Sequence, residues 1–268
     1  MSTSETSLDH LRAWDPTWAA LYERVAVQPW RAAVLQHKTS ALILVALNAS
    51  CTARDTEGTR AAIRAALQAG ATRDEVLSVL KMAALLAIHS CSLGAPILLA
   101  ELPAPHEAAT SPKTVATPAC DAMRAMGQWN TAWDPFLALD PVWTDQFMAT
   151  GLCLYQEGIL PAKEVELLSI ALDAAITHMY APGVGRHIRG ALAAGATSAE
   201  IMAVLELCVA FGVTALTASV PILAEELAAA GMPQRREPEQ PRYALEHRRG
   251  KGGVDQGIIV KVGVQAPR

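Results

Sequence analysis

Cysteine is scarce in this 268-residue chain, and the five present (Cys51, Cys91, Cys120, Cys153 and Cys208) are an odd number with no C-x-x-C pair among them. That spacing excludes a disulfide framework and a zinc knuckle, and it reads as separate thiols in a reducing compartment. Charge is thin as well: 18% of residues are charged, the formal net charge is −4, and no basic stripe occurs before the C-terminal tail. Such a surface offers no field for gripping a phosphate backbone, so nucleic acid is not an expected partner. The first residues, MSTSETSLDHLRAWD, lack the apolar run of a secretory signal, and a cytoplasmic location is expected.

What the chain has in quantity is apolar surface, 51% of its residues. Two uncharged runs, 82–100 and 207–224, approach the length of a bilayer span. Each is interrupted by hydroxyl residues and proline (LGAPILLA, TASVPILA). Both are therefore expected as helices buried in a core or a subunit interface, not as membrane spans.

The sequence also repeats itself. At an offset of 125, residues 15–102 align without a gap onto 140–227, with 27 identities among the 88 pairs. DPTW (15–18) meets DPVW (140–143), RAAIRAALQAGAT meets GRHIRGALAAGAT through Gly70 and Gly195, and PILLAEL (96–102) meets PILAEEL (221–227). Within each copy, apolar residues recur at three and four spacing, and no strand-like alternation competes. AGAT closes one helix in each copy, and T-x-x-E (Thr72 to Glu75, Thr197 to Glu200) is a capping box that opens the next. The expected division is a tail (1–14), a first repeat (15–102), a linker with a short helix beginning at Thr117-Pro118 (103–131), a second repeat (132–232) and a polar, basic tail (233–268). A short strand is expected within 257–264 of that tail.

The order K-x-x-E-L-L-x-x-A-L (163–172) followed by H-x-R-x-A-L-x-x-G-A-T-x-x-E-I (187–201) resembles the carboxymuconolactone decarboxylase and AhpD-like family. The resemblance implies an all-α fold of helical hairpins, the two repeats pairing as an internal pseudo-dimer, and assembly into a homo-oligomer of trimer size or larger. It further implies cofactor-independent decarboxylation of a small carboxylated lactone or unsaturated acid from aromatic catabolism. Redox members of the family carry C-x-x-C ahead of the histidine, one sulfur to attack a peroxide and one to resolve the sulfenic acid. This chain has ITHMYAPGVGRH there, with His178 near the place of the first cysteine, so thiol peroxidase activity is disfavoured. A non-catalytic oligomer that binds a small acid is the other alternative.

Duplication supplies an internal control, since polar groups present in one copy only are the candidates for chemistry. Glu166 stands against Ala41, His178 against Ala53, Arg186 against Ala61 and His187 against Ala62. Glu166 and His187 are expected to face each other across a helical hairpin, the carboxylate fixing one tautomer and raising the imidazole pKa for acid–base work. In this reading His187 is the proton donor, His178 a second catalytic group, Arg186 a partner for a substrate carboxylate and Tyr180 a hydrogen-bond donor to substrate. Glu166, His178 and His187 also form a set of two histidines and a carboxylate, but their spacing matches no standard metal motif. Neither metal nor cofactor is expected. His89 and Cys91, in an apolar helix, are expected as core or interface groups.

Overall fold

The computed structural model describes residues 3–31, 34–102, 115–233, 243–249 and 255–262. Helices dominate them: α1 (Thr3–Trp14), α2 (Pro16–Arg31), α3 (His37–Ala49), α4 (Thr56–Gln68), α5 (Arg73–Leu85), α6 (His89–Glu101), α7 (Pro118–Ala125), α8 (Asp134–Leu139), α9 (Pro141–Glu157), α10 (Ala162–Ala174), α11 (Ala181–Ala193), α12 (Ser198–Ala210) and α13 (Val213–Ala229). Two compact units result, one of residues 20–215 and one combining 1–19 with 216–268.

In the larger unit, α3 and α10 are buried almost all round, with nine of thirteen positions buried in each, as expected of helices packed on several sides. Leu42, Leu167, Leu168 and Ile170 are 0–1% exposed. Burial of such a side chain contributes about 1.5–3 kcal/mol. Each of these helices forms a hairpin with its successor, α3 with α4 and α10 with α11, and each packs on the helix after that, α5 or α12. The boundaries of α3, α4 and α5 recur at α10, α11 and α12 with the offset of 125, all six helices being thirteen residues long. The same offset joins residues that touch: Thr39 Oγ1 donates to Glu164 Oε1 at 2.9 Å, and Thr52 Oγ1 meets Thr177 Oγ1 at 2.8 Å. Contacts between matched positions lie where a local two-fold axis would pass.

Helix ends follow the repeated sequence signals. Asp15 and Asp140 accept from the backbone N–H of Trp18 and Trp143, and both capping boxes form. Gly70 and Gly195 take φ of 90° and 84°, the left-handed turn that a β-carbon would disfavour. Lys38 and Lys163 bind the capping glutamates Glu75 and Glu200 at 2.6 and 2.8 Å, tying the first helix of each triplet to the third. Thr117 departs from expectation, because its side chain makes no capping bond; proline at the first helical position starts α7 without one.

The uncharged runs 82–100 and 207–224 fall within two longer stretches, 73–101 and 198–229, that are long and apolar enough to cross a membrane. Each is two helices, α5 with α6 and α12 with α13. Between α5 and α6 a 3-10 turn (Leu86–Ile88) intervenes, and Pro96 and Pro221 interrupt the second helix of each stretch.

In the smaller unit, residues 3–14 form α1 where the sequence reads as a tail. Leu8, Leu11 and Trp14 share one partly buried face at three-residue spacing, enough to organise a helix. The expected strand is β2 (Asp255–Val262), paired antiparallel with β1 (Tyr243–Arg249) from Tyr243 opposite Val262 to His247 opposite Ile258. Residues 103–114 of the expected linker lie outside the described residues.

Candidate active site

α11 buries a single stripe, Gly183, His187 and Ala191, spaced by four residues. Its counterpart α4 buries Ala62 and Ala66. Ala62 and His187 thus occupy the same place in their hairpins, 4% and 6% exposed, and only the second carries a titratable group. His187 lies in the second turn of α11, which begins at Ala181.

Glu166, on the facing side of α10 and 4% exposed, accepts from His187 Nδ1 at 2.7 Å. Its other oxygen takes the amide of Gln128 at 3.2 Å. Gly190 makes room for that carboxylate, since a β-carbon there would stand 2.6–2.9 Å from the three carboxyl atoms. On the opposite edge of the imidazole, Nε2 lies 2.7 Å from Arg186 Nη2. A guanidinium only donates, so Nε2 accepts and Nδ1 carries the proton. Arg186 Nη1 donates to Gln128 Oε1 at 2.5 Å, and Tyr155 donates to the same oxygen at 3.3 Å. The network runs in a closed circuit from Arg186 through Gln128 and Glu166 to His187.

This arrangement corrects the expected pKa. Burial lowers that of His187, and Arg186 adds to the effect; the bond to Glu166 pulls upward but does not win. The imidazole is neutral at neutral pH, its lone pair directed at Arg186.

His187 and Arg186 border a cavity of about 110 Å³. One water needs about 10–15 Å³ by such a measure, so the space takes a small organic molecule. Most of the wall is apolar, including Met82, Leu86, Trp133, Phe147, Met148 and Leu172. Polar groups gather at one end: His187, Arg186, Tyr155, Ser169, Asp173 and His89. Trp133 lies under the Arg186 guanidinium at 5.7 Å. The lining contains no cysteine.

Four of these polar groups were not among the sequence candidates. Asp173, 3% exposed, places Oδ2 3.7 Å from His187 Nε2 and Oδ1 3.8 Å from His89 Nδ1. Burial raises its pKa to about 7, against the opposing pull of Arg186. Its first-repeat counterpart is Asn48, so a one-sided acid was visible in the alignment. Gly183 and Gly58 lie so close to Asp173 and Asn48 that a β-carbon on either would collide with the side chain. Ser169 stands against Leu44, another one-sided polar group. Tyr155 stands against Trp30, and there the pairing of two aromatics concealed the hydroxyl.

His89 corrects a second expectation. It lines the cavity instead of serving only as a core or interface group, and it comes from the first repeat, where Thr214 is its match. The cavity that His187 borders is thus lined from both halves of the 125-residue register. Burial, with His178, His187 and Arg186 nearby, pushes its pKa down to about 3.

His178 and Tyr180 sit behind His89, outside the cavity lining. His178 Nε2 is 2.5 Å from His89 Nδ1, and the Tyr180 ring stacks on His89 with centroids 3.8 Å apart. Among the described residues neither hydrogen-bonds to Glu166 or His187, and the buried Tyr180 hydroxyl has no partner.

Paired helical hairpins with a glutamate-backed histidine in the wall of a largely apolar cavity define the class, an all-α helical-hairpin protein. The carboxymuconolactone decarboxylase family pattern matches residues 141–225. A solved structure from Burkholderia xenovorans, described as a candidate gamma-carboxymuconolactone decarboxylase subunit, is 30% identical with a TM-score of 0.73, over 84% of this chain and 92% of that one. No curated protein matches the sequence. The chain belongs to the carboxymuconolactone decarboxylase family.

Proposed function

We propose that the cavity decarboxylates a small carboxylated lactone or a related unsaturated acid, with Arg186 and His187 as the groups that act on it. The observation that carries this reading is their placement side by side at the polar end of an apolar cavity, with His187 fixed from behind by Glu166 at 2.7 Å. A substrate carboxylate pairs with the Arg186 guanidinium, which frees His187 Nε2. The bond from carbon to carboxylate then breaks. Its electron pair passes into the conjugated carbonyl of the substrate, and carbon dioxide leaves. The resulting carbanion equivalent takes one proton, which His187 Nε2 delivers after drawing it from solvent. The apolar wall favours this step because compact carboxylate charge is poorly solvated there, while the dispersed charge of the transition state loses less.

Decarboxylation in aromatic catabolism, a cytoplasmic location and a homo-oligomeric state complete the proposal. For the oligomer, support comes from α6, where Leu93, Ile97, Leu98 and Leu99 are 40–68% exposed, more apolar surface than one helix of a monomer usually shows. The tandem repeat is read in the same way, from the recurring helix boundaries and the matched contacts.

The test is carbon dioxide release across a panel of carboxylated lactones and unsaturated acids. Wild type is expected to turn over at least one. Glu166→Gln is expected to lower kcat by about 10–100-fold, and Arg186→Ala to raise KM with a smaller loss in kcat. Release from no member of the panel, or full turnover by both variants, overturns the reading.

A further inference from the structure

One cluster beside the proposed reaction centre has no role in the steps above. His89, His178 and Asp173 bring one ligand atom each within 4.8 Å of one another, two ring nitrogens and a carboxylate oxygen. They come from three separate places: the first residue of α6, the turn before α11, and the last turn of α10. The nitrogens of His89 and His178 point at each other across 2.5 Å, and Asp173 Oδ1 is 3.8 Å from the same His89 nitrogen. We propose that these three side chains hold one divalent first-row transition ion at the polar end of the cavity.

Four observations support the site. Asp173 Oδ2 is buried, and no group among the described residues donates to it. Asp173 is 3% exposed as a residue, and a buried carboxylate oxygen calls for a partner that the described residues do not supply. The His89 and His178 ring nitrogens already converge on one point, one N–H meeting the other's lone pair, and a change of tautomer in one ring turns both lone pairs toward an ion held there. Once Asp173 ionises, Glu166 and Asp173 set two carboxylates near the Arg186 cation, and an ion beside Asp173 favours that ionised form. The surroundings are ordered like a ligand shell: Tyr180 stacks on His89, and Gly183 leaves the space in which the Asp173 carboxyl sits.

Two nitrogens and one oxygen form a borderline donor set that suits Zn²⁺, Fe²⁺ or Co²⁺ better than Mg²⁺ or Ca²⁺. Three protein ligands leave coordination positions open, and His89 and Asp173 line the cavity, so an oxygen of a small acid reaches the ion from there. The spacing of 84 residues from His89 to Asp173 explains why no sequence motif announces the set. The site stands apart from the decarboxylation reading, and metal binding is measured without turnover, so either can fail alone.

The test uses the full chain, stripped with chelator and titrated with Co²⁺ and with Zn²⁺ by calorimetry, with visible absorption following Co²⁺. Wild type is expected to bind one ion per chain and to show the ligand-field bands of nitrogen-ligated Co²⁺. His89→Ala and His178→Ala are expected to weaken binding by more than about tenfold and to lose those bands. His37→Ala, at an exposed histidine outside the lining, is expected to bind as wild type does. Circular dichroism checks folding, and His178→Gln replaces His178→Ala if the latter does not fold. Absence of stoichiometric binding by wild type, or equal affinity in the His89 and His178 variants, overturns the proposal.

Discussion

His187 and Ala62 show how little backbone change separates a site from a scaffold. Both occupy the buried stripe of a thirteen-residue helix, and the substitution of methyl by imidazole needs only a carboxylate opposite and a glycine to admit it. Gly190 is that glycine, with Ala65 as its match. Gly190→Ala would push the Glu166 carboxyl aside. Because that group is the far end of a flexible side chain, folding is expected to survive while the histidine loses its anchor. The expected result is a fall in kcat of about tenfold or more, with a change in stability near 1 kcal/mol or less. Equal kcat in Gly190→Ala and wild type would show that Glu166 does not position the histidine. At this scale the one-sided comparison of repeats exposed Glu166, His187, Arg186 and His178. His89 does not stand out in that comparison because its match, Thr214, is polar too, and Gln128 has no match because residue 128 lies outside the paired register.

Among the elements, the two helix triplets reuse one device. A threonine caps the third helix, its glutamate partner closes the box, and a lysine from the first helix binds that glutamate. For Glu200 the Lys163 bond is the largest influence and lowers the pKa; for Glu75 burial acts upward, but bonds from Lys38 and Thr72 outweigh it. Both folded values lie below the reference of 4.5. A depressed carboxylate pKa contributes stability that is complete above the unfolded value and is lost as pH falls through the folded one. Glu75→Gln and Glu200→Gln are each expected to cost about 1 kcal/mol near neutrality. The difference in Tm from wild type is expected to shrink as pH is taken from about 6 to about 3. A difference that stays constant over that range would contradict the assignment. These helix ends were fully legible in the sequence, since caps and turns are local. The start of α11 carries a subtler local mark, Pro182 at a first-turn position with no side-chain cap before it.

For the whole molecule, the hydrophobic pattern alone implied helices, and the 125-residue offset implied two similar triplets. What the pattern could not convey is that both halves of the register line one cavity, with His89 from α6 joining Asp173 and His187. Such contacts span about a third of the chain, and no local rule governs them. The exposed leucines and isoleucine of α6 belong to this scale too. Leu98→Glu with Ile97→Glu is expected to reduce the oligomer to smaller species in light scattering with helicity retained, and an unchanged mass would exclude that face from the interface.

The account stands most directly on His187 as the group that moves the proton. For a carboxylated lactone that wild type decarboxylates, equilibrium binding and carbon dioxide release should be measured side by side on wild type and His187→Gln. The account expects affinity to hold within a few-fold while release falls by about 100-fold or more. Release at the wild-type rate from the glutamine variant would contradict it.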